Sequence, residues 1–154
     1  EIHGRFEKNE GDFMLVDDYG HHPSEVKATI EAVRLGWPDR RLIMVYQPHR
    51  YSRTLELFDQ FVDVLSTVDH LVLLDVYSAG EAPIIGATGD DLFKAIKQKS
   101  TSTVDFLTDV DLVSDRLDEL VSDNDFVLTQ GAGVTSGLAR TLRQKWKKSL
   151  VVAA

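Results

Sequence analysis

The sequence predicts an α/β fold, in which a mainly parallel sheet of about five or six strands carries helices on both faces. Apolar runs of strand length alternate along the chain with segments whose apolar residues recur at helical spacing. The 154 residues are enough for one domain with a single sizeable core, and the hydrophobic fraction of 43% agrees with that size.

Five segments have the length and apolar content of buried strands. They are residues 13–18, 42–47, 70–76, 103–107 and 126–130. A helix is expected over residues 23–35, because Val26, Ile30 and Val33 recur at helical spacing, Pro23 suits the first turn and Gly36 suits the end.

Two apolar stripes predict two further helices. Another two helices are expected, one at about residues 89–97 and one over residues 136–147. The stripe residues are expected in the core, and they are Phe58, Phe61, Val62, Leu65, Leu112, Val113, Leu117 and Leu120.

Composition narrows the class of function. With 25 acidic and 17 basic residues the net charge is -8, which argues against a nucleic-acid partner. The absence of cysteine excludes disulfides and thiolate metal sites and fits a reducing compartment. No apolar run is long enough for membrane insertion. Because the chain begins at Glu1 without an apolar signal region, we expect it to be a piece of a longer protein.

The unusual polar clusters all follow predicted strands. They occupy residues 17–23, 47–54, 77–83 and 130–133. In a doubly wound, Rossmann-like sheet the carboxyl ends of the strands form the edge at which ligands bind. The sequence therefore predicts a ligand site at this edge.

The second cluster contains the basic segment Gln47-Pro48-His49-Arg50-Tyr51-Ser52-Arg53-Thr54. Arg50 and Arg53 are three residues apart, so their guanidinium groups could hold one small carboxylate or phosphate. Alternatively, both arginines form only surface ion pairs on the first turn of the next helix.

The first cluster allows several interpretations. Asp18 could accept hydrogen bonds from sugar hydroxyls or could simply form a turn. His22 suits the helix entry, whereas His21 could reach the anion site. We assign no metal site to the acids and histidines of this turn, because adjacent residues point in different directions.

The glycines of residues 131–137 do not match the dinucleotide-binding pattern. They favour a tight turn between strand and helix, and their exposed amides could touch a ligand.

Together the clusters resemble the carboxyl-terminal domain of the Mur ligases, and within that family the members that add L-alanine. The residues that carry the resemblance are Asp17-Asp18-Tyr19-Gly20-His21-His22-Pro23-Ser24-Glu25, the basic segment, Tyr77-Ser78-Ala79-Gly80-Glu81-Ala82-Pro83-Ile84 and Gln130-Gly131-Ala132-Gly133. The resemblance runs from Gly4-Arg5-Phe6 to about Trp146.

The resemblance implies that residues 1–154 are the last domain of a three-domain cytoplasmic enzyme of peptidoglycan synthesis. The UDP-sugar domain and the central ATPase domain would lie outside this chain and would be its partners. The enzyme would use ATP and Mg²⁺, the latter held mainly by the central domain, to join L-alanine to the carboxylate of UDP-N-acetylmuramate through an acyl phosphate. The fragment is expected to fold alone but to have no catalytic activity by itself.

The resemblance also implies roles for single residues. Arg50 and Arg53 would hold the carboxylate of L-alanine, and Tyr19, His21 and His49 would line the same pocket. Asp18 would bind the ATP ribose, and Arg5 would reach the nucleotide phosphates.

The chain departs from the family pattern at four places. Gly4-Arg5-Phe6 stands where two arginines usually precede the phenylalanine, and residues 134–137 differ from the expected continuation. Residues 149–154 have no counterpart, and as a fourth departure the segment of residues 8–12 is short. Two alternatives stay open, a ligase that adds a preformed tripeptide and a noncatalytic module that binds nucleotides or amino acids.

Overall fold

The computed structural model describes residues 13–131 and 133–146 and the backbone of residues 151–153. The strands are β1 (Met14–Asp18), β2 (Leu42–Gln47), β3 (His70–Leu74), β4 (Thr103–Leu107), β5 (Phe126–Gly131) and β6 (Val151–Ala153). The helices are α1 (Pro23–Gly36), α2 (Tyr51–Glu56), α3 (Phe58–Leu65), α4 (Gly89–Lys99), α5 (Val110–Leu120) and α6 (Thr135–Trp146).

The six strands form one parallel sheet in the order β4-β3-β2-β5-β1-β6. Its register places Gln130 of β5 between Asp18 of β1 and Tyr46 of β2. The carboxyl ends of the three central strands therefore meet at one edge, and the predicted α/β fold is confirmed.

Side chains alternate between the two faces of the sheet, and both faces are covered. On the first face, Met14 and Val16 pack with buried residues of α1, α3 and α4. On the second face, Leu15 packs with buried residues of α5 and α6. A strand with two buried faces reads as a continuous apolar run, which is why β1, β2, β3 and β5 were recognisable from the sequence. β4 lies at the edge of the sheet and is partly exposed.

The predicted helix 23–35 is present as α1, and His22 is its N-cap as expected. The Nδ1 atom of His22 accepts a hydrogen bond from the Ser24 amide at 3.1 Å, and the Glu25 carboxylate accepts one from the His22 amide at 3.0 Å. These two bonds satisfy amide groups that the first helical turn leaves unpaired.

Three predictions about single elements were wrong or incomplete. The third strand ends at Leu74 rather than at residue 76, because the Asp75 carboxylate accepts hydrogen bonds from the Val76 and Gly89 amides and turns the chain. Leu112 was expected in the core but is 51% exposed. Val113 and Leu117, four residues apart, define the buried face of α5, and Leu112 is rotated about 100° away from Val113.

The third difference is the short strand β6, which pairs in parallel with β1 and was not predicted. Its three residues are too few to show a periodic pattern. Within the described part of the chain, none of the helices is both long and apolar enough to cross a bilayer.

Candidate functional site

The strand connections create a crevice at the carboxyl edge of the sheet. The chain leaves β1 towards α1 on the first face, whereas it leaves the neighbouring β5 towards α6 on the second face. Loops that diverge from adjacent strands in this way leave room between them for a ligand. The polar clusters noted in the sequence surround this point.

Asp18 lies in the crevice with a fixed carboxylate. Its Oδ2 atom accepts hydrogen bonds from the Thr29 hydroxyl and from Nε2 of Gln130, each at 2.6 Å. The residue is only 7% exposed, and a Cβ atom at Gly20 would lie 2.6 Å from Nε2 of Gln130. Both of these hydrogen bonds go to Oδ2, so Oδ1 is the oxygen through which the carboxylate can accept a further one.

Gln130 was assigned no role of its own from the sequence. A carboxylate can only accept hydrogen bonds, so the amide nitrogen of Gln130 must face Asp18 and its Oε1 atom must point elsewhere. That oxygen is buried and has no hydrogen-bond partner among the described residues. The sequence placed Gln130 in a polar cluster at the ligand edge, but the orientation of its amide depends on its contact with Asp18, which a linear pattern does not show.

The basic segment is anchored to the loop that follows β3. The Arg50 amide donates a hydrogen bond to the Tyr77 carbonyl, and the Tyr77 amide donates one to the Pro48 carbonyl, each at 2.8 Å. The Glu81 carboxylate accepts from the amide and the hydroxyl of Ser52 at 3.1 and 2.5 Å, and these bonds lower the pKa of Glu81. The loop therefore sets the position at which α2 begins.

Among the residues that the structure describes, the two arginines form no ion pairs. Neither Arg50 nor Arg53 has a carboxylate partner within the described ranges, so the alternative of surface ion pairs is wrong there. Arg50 is exposed, whereas Nη1 of Arg53 is buried without a hydrogen-bond partner in the described structure. A buried guanidinium donor without a partner is costly, which suits a group that binds an anion.

His49 is held between two aromatic rings. It stacks on Tyr77 at a centroid distance of 5.6 Å and an interplanar angle of 14°, and it meets His21 edge-on at 6.0 Å. Burial lowers the pKa of His49, and the positive charges of Arg50 and Arg53 and the nearby His21 lower it further. Its Nδ1 atom is buried and lacks a hydrogen-bond partner among the residues described.

Tyr46 forms part of the floor of the site and was not predicted to do so. Its hydroxyl donates a hydrogen bond to the His21 carbonyl at 3.2 Å, which ties β2 to the turn after β1. Burial raises the pKa of this phenol above its usual value, while the charge of Arg53 acts in the opposite direction. A fully buried tyrosine in an apolar strand reads as core in a sequence, and only its hydroxyl contact shows otherwise.

The structure brings together His21, His49 and the two arginines. Asp18 lies next to them on β1, in its own hydrogen-bond network with Gln130. Tyr19 is 54% exposed, and its described contact is through its carbonyl oxygen, 3.4 Å from Nδ1 of His21. Arg5 lies outside the described residues.

The glycine-rich loop after β5 is a structural turn, as predicted. Gly131 and Gly133 have φ values of 123° and 81°, in the region that favours glycine. A Cβ atom at Gly131 would lie 2.4 Å from the carbonyl oxygen of Gln47. The Gln47 side chain in turn accepts a hydrogen bond from the Val134 amide at 3.0 Å, which closes the loop against β2.

In the described part of the chain, this site is identified neither by a cluster of metal ligands nor by a large cavity. Among residues 13–131 and 133–146, no three histidine or acidic side chains come together as metal ligands, so we derive no step through Mg²⁺ from this chain. A groove of about 910 Å³ lies between α1 and α3, lined by residues such as Ile30 and Val64. The groove runs along α1 from Pro23 to Leu35, and its lining contains none of His49, Arg53 and Gln130. We place the chemistry in the crevice because the buried atoms without partners among the described residues lie there.

Comparison with known proteins adds family evidence to this geometry. Residues 4–133 match the family model described as Mur ligase, glutamate ligase domain. UDP-N-acetylmuramate-alanine ligase from Thermotoga maritima has a similar structure, with a TM-score of 0.73 and 20% sequence identity over 92% of this chain. A domain from a putative UDP-N-acetylmuramate:L-alanyl-γ-D-glutamyl-meso-diaminopimelate ligase from Haemophilus ducreyi gives a TM-score of 0.64 and 20% identity over 94% of this chain.

A third similar structure is the Mycobacterium tuberculosis folylpolyglutamate synthase complexed with ADP and AMPPCP, with a TM-score of 0.54 and 16% identity over 84% of this chain. The match covers 28% of the Thermotoga chain and 29% of the Mycobacterium chain, but 97% of the Haemophilus domain. The chain thus spans less than a third of the two longer proteins. These likenesses show a common fold.

Proposed function

The chain belongs to the Mur ligase family, through the glutamate ligase domain that its residues 4–133 match, and from this we propose that it is the acceptor-binding domain of a UDP-N-acetylmuramate:L-alanine ligase. We assign the whole chain, residues 1–154, to this domain. The activity belongs to the longer enzyme, whose UDP-sugar and central ATPase domains are the partners of this one, and we place that enzyme in the cytoplasm.

The buried, unpartnered Nη1 atom of Arg53 carries the proposal. It offers a charged donor beside the exposed Arg50, in a site where the carboxylate of Glu81 is already bonded to Ser52. A small carboxylate fits between the two guanidinium groups. L-Alanine brings such a carboxylate together with an amine on the adjacent carbon.

The remaining site residues complete the proposal. His21 and His49 line the pocket beside the arginines, and Tyr19 closes it from the exposed turn. Asp18 accepts a hydrogen bond from an ATP ribose hydroxyl through its remaining oxygen, and Arg5 contacts the nucleotide phosphates. The carboxylate of Asp18, held in place by Thr29 and Gln130, suits a hydrogen bond to a ribose hydroxyl.

In the intact enzyme ATP supplies the phosphoryl group that activates the muramate carboxylate as an acyl phosphate, with Mg²⁺ held mainly by the central domain. This domain positions the amine of L-alanine so that it can attack the activated carbonyl. Holding two reactants in line is a large part of such catalysis. The isolated chain is expected to bind but not to turn over.

A tripeptide-adding ligase is the second candidate, since the Haemophilus domain described as a putative tripeptide ligase matches over nearly its whole length. Fold similarity at 20% identity does not separate the two acceptors. We favour L-alanine because the segment from His49 to Arg53 is compact and the buried guanidinium of Arg53 acts electrostatically on His49. A tripeptide would need more room around that donor.

The test is phosphate release by the full-length protein with UDP-N-acetylmuramate, ATP and Mg²⁺, with L-alanine in one reaction and the tripeptide in another. Release that depends on L-alanine supports the proposal. Release only with the tripeptide moves the assignment to the second candidate. Release with neither would leave a noncatalytic binding module.

A further inference from the structure

We propose that His49 is the base that removes a proton from the ammonium group of L-alanine before the amine attacks the acyl phosphate. This inference rests on the proposed function and adds a chemical role to a residue that was expected only to line the pocket.

The step is needed because an α-amino group is largely protonated at neutral pH and an ammonium has no lone pair. One proton moves from the ammonium nitrogen to Nδ1 of His49. The free amine then forms the C–N bond at the acyl carbon, and the C–O bond to phosphate breaks with its electron pair leaving on phosphate. The second amine proton leaves with the phosphate as the amide forms.

Two buried atoms that lack a hydrogen-bond partner in the described part of the chain lie on either side of the start of α2. Nδ1 of His49 can accept a hydrogen bond, and Nη1 of Arg53, four residues later, can only donate. An α-amino acid carries a hydrogen-bond acceptor, its carboxylate, and a donor, its ammonium, on the same carbon. The pair of atoms is therefore complementary to the two ends of the amino acid.

The surroundings of His49 keep its ring neutral. The groups that face it are Arg50 just before α2 and Arg53 within α2, His21 from the turn after β1, and Tyr77 and Glu81 from the loop after β3. Burial, followed by the nearby cations, outweighs the single carboxylate of Glu81, and the pKa of His49 is lowered as a result. A protonated ring would also bury an N–H group without an acceptor, next to two guanidinium groups. A neutral imidazole at pH 7 is the form that a base requires.

Neighbouring groups are less suited to this role. Nδ1 of His21 lies 3.4 Å from the Tyr19 carbonyl, and the Glu81 carboxylate accepts two hydrogen bonds from Ser52. The ring of His49 is oriented by stacking on Tyr77, and its buried Nδ1 has no hydrogen-bond partner among the described residues. Its orientation is thus set before a ligand arrives.

The experiment compares His49→Asn with the matched change His22→Asn in the full-length enzyme. His22 caps α1, and asparagine is a good N-cap, so we expect His22→Asn to leave turnover unchanged. For His49→Asn we expect kcat with L-alanine at pH 7 to fall on the order of 10²- to 10⁴-fold, the usual contribution of a general base. The loss should shrink as the pH rises, because the amine then loses its proton to solvent.

The second readout uses trifluoroalanine, whose amine is much less basic and arrives largely unprotonated. We expect His49→Asn to slow trifluoroalanine far less than L-alanine. Both readouts are ratios within one variant, so a partly unfolded preparation does not affect them.

An equal loss with both amines, unchanged between pH 7 and high pH, would show that His49 only shapes the pocket and would overturn the inference. If the wild-type enzyme releases no phosphate with L-alanine, the proposed function fails and this role for His49 fails with it. The wild-type reaction alone therefore distinguishes the two failures.

Discussion

Arg50 and Arg53 have different surroundings although the sequence presents them as a matched pair. Arg53 has a buried Nη1 atom, whereas the Arg50 side chain is exposed and its backbone has a φ of 69°. A desolvated charge holds an anion more strongly than one screened by water. The structure therefore makes Arg53 the stronger contact for a carboxylate.

We predict that Arg53→Ala raises the KM for L-alanine more than Arg50→Ala does, in steady-state kinetics of the full-length enzyme. Loss of a desolvated charged pair costs about 2–5 kcal/mol, whereas an exposed pair contributes about 0–1 kcal/mol. In both variants kcat should change less than KM, because the carboxylate is bound alike in the ground and transition states. Arg143→Ala, at an exposed position of α6, is the control. Equal KM values for Arg53→Ala and Arg50→Ala would show that the difference in burial does not affect binding of the L-alanine carboxylate.

Among the elements, the turn between β5 and α6 depends most directly on particular residues. Gly131 adopts a positive φ and approaches the backbone of Gln47, while Gly137 lies within α6 with open space where a Cβ atom would be. The same glycine-rich segment thus contains one glycine that the backbone requires and one that it does not.

We predict opposite effects for two alanine substitutions in this segment. Gly131→Ala should destabilise the chain by about 1–3 kcal/mol from backbone strain alone, with the overlap against Gln47 adding to it. Gly137→Ala should stabilise it by roughly 0.5–1 kcal/mol, because alanine loses less entropy in a helix than glycine. Urea denaturation of both variants measures the difference. A destabilising Gly137→Ala would mean that α6 needs its glycine for a reason not visible in its contacts.

Prediction of the elements succeeded where the apolar pattern was long. Helix α1 was found from Val26, Ile30 and Val33 together with Pro23, since those residues specify both a buried face and a start. Leu112 was misplaced because an apolar residue beside the stripe does not by itself reveal which way the helix is rotated. The neighbouring sheet decides that rotation.

At the scale of the whole molecule, the two apolar clusters share one sheet. Each contains one of the two tryptophans of the chain among its packed residues. Trp37 packs on Phe126 at 5.1 Å between ring centroids on the first face, and Trp146 packs on Phe13 at 5.0 Å on the second. Loss of the sheet would therefore disrupt both clusters.

We predict that the 154-residue chain folds by itself and unfolds in one transition. In the variant Trp37→Phe, Trp146 remains as the fluorescent reporter on the second face. In the variant Trp146→Phe, Trp37 remains as the reporter on the first face. Their denaturation midpoints should each coincide with the midpoint from circular dichroism of the same variant, because the strands belong to both clusters. Two separate fluorescence transitions within one folded chain would show that the faces unfold independently.

By itself the sequence determined the α/β class, five of the six strands and the residues expected around the ligand edge. Strands buried on both faces and helices buried on one leave patterns that local reading detects. The resemblance of the polar clusters to the Mur ligases, confirmed by the family match, came from the order and identity of those clusters.

Only the tertiary structure decided how those clusters combine. The roles of Tyr46, Tyr77 and Gln130 depend on contacts between strands far apart in the chain, and so does the difference between Arg50 and Arg53. Burial, ring stacking and the fixed orientation of an amide arise when distant segments pack together. A linear pattern lists the groups at the site, but the packing decides which of their atoms remain without a partner and can bind a ligand.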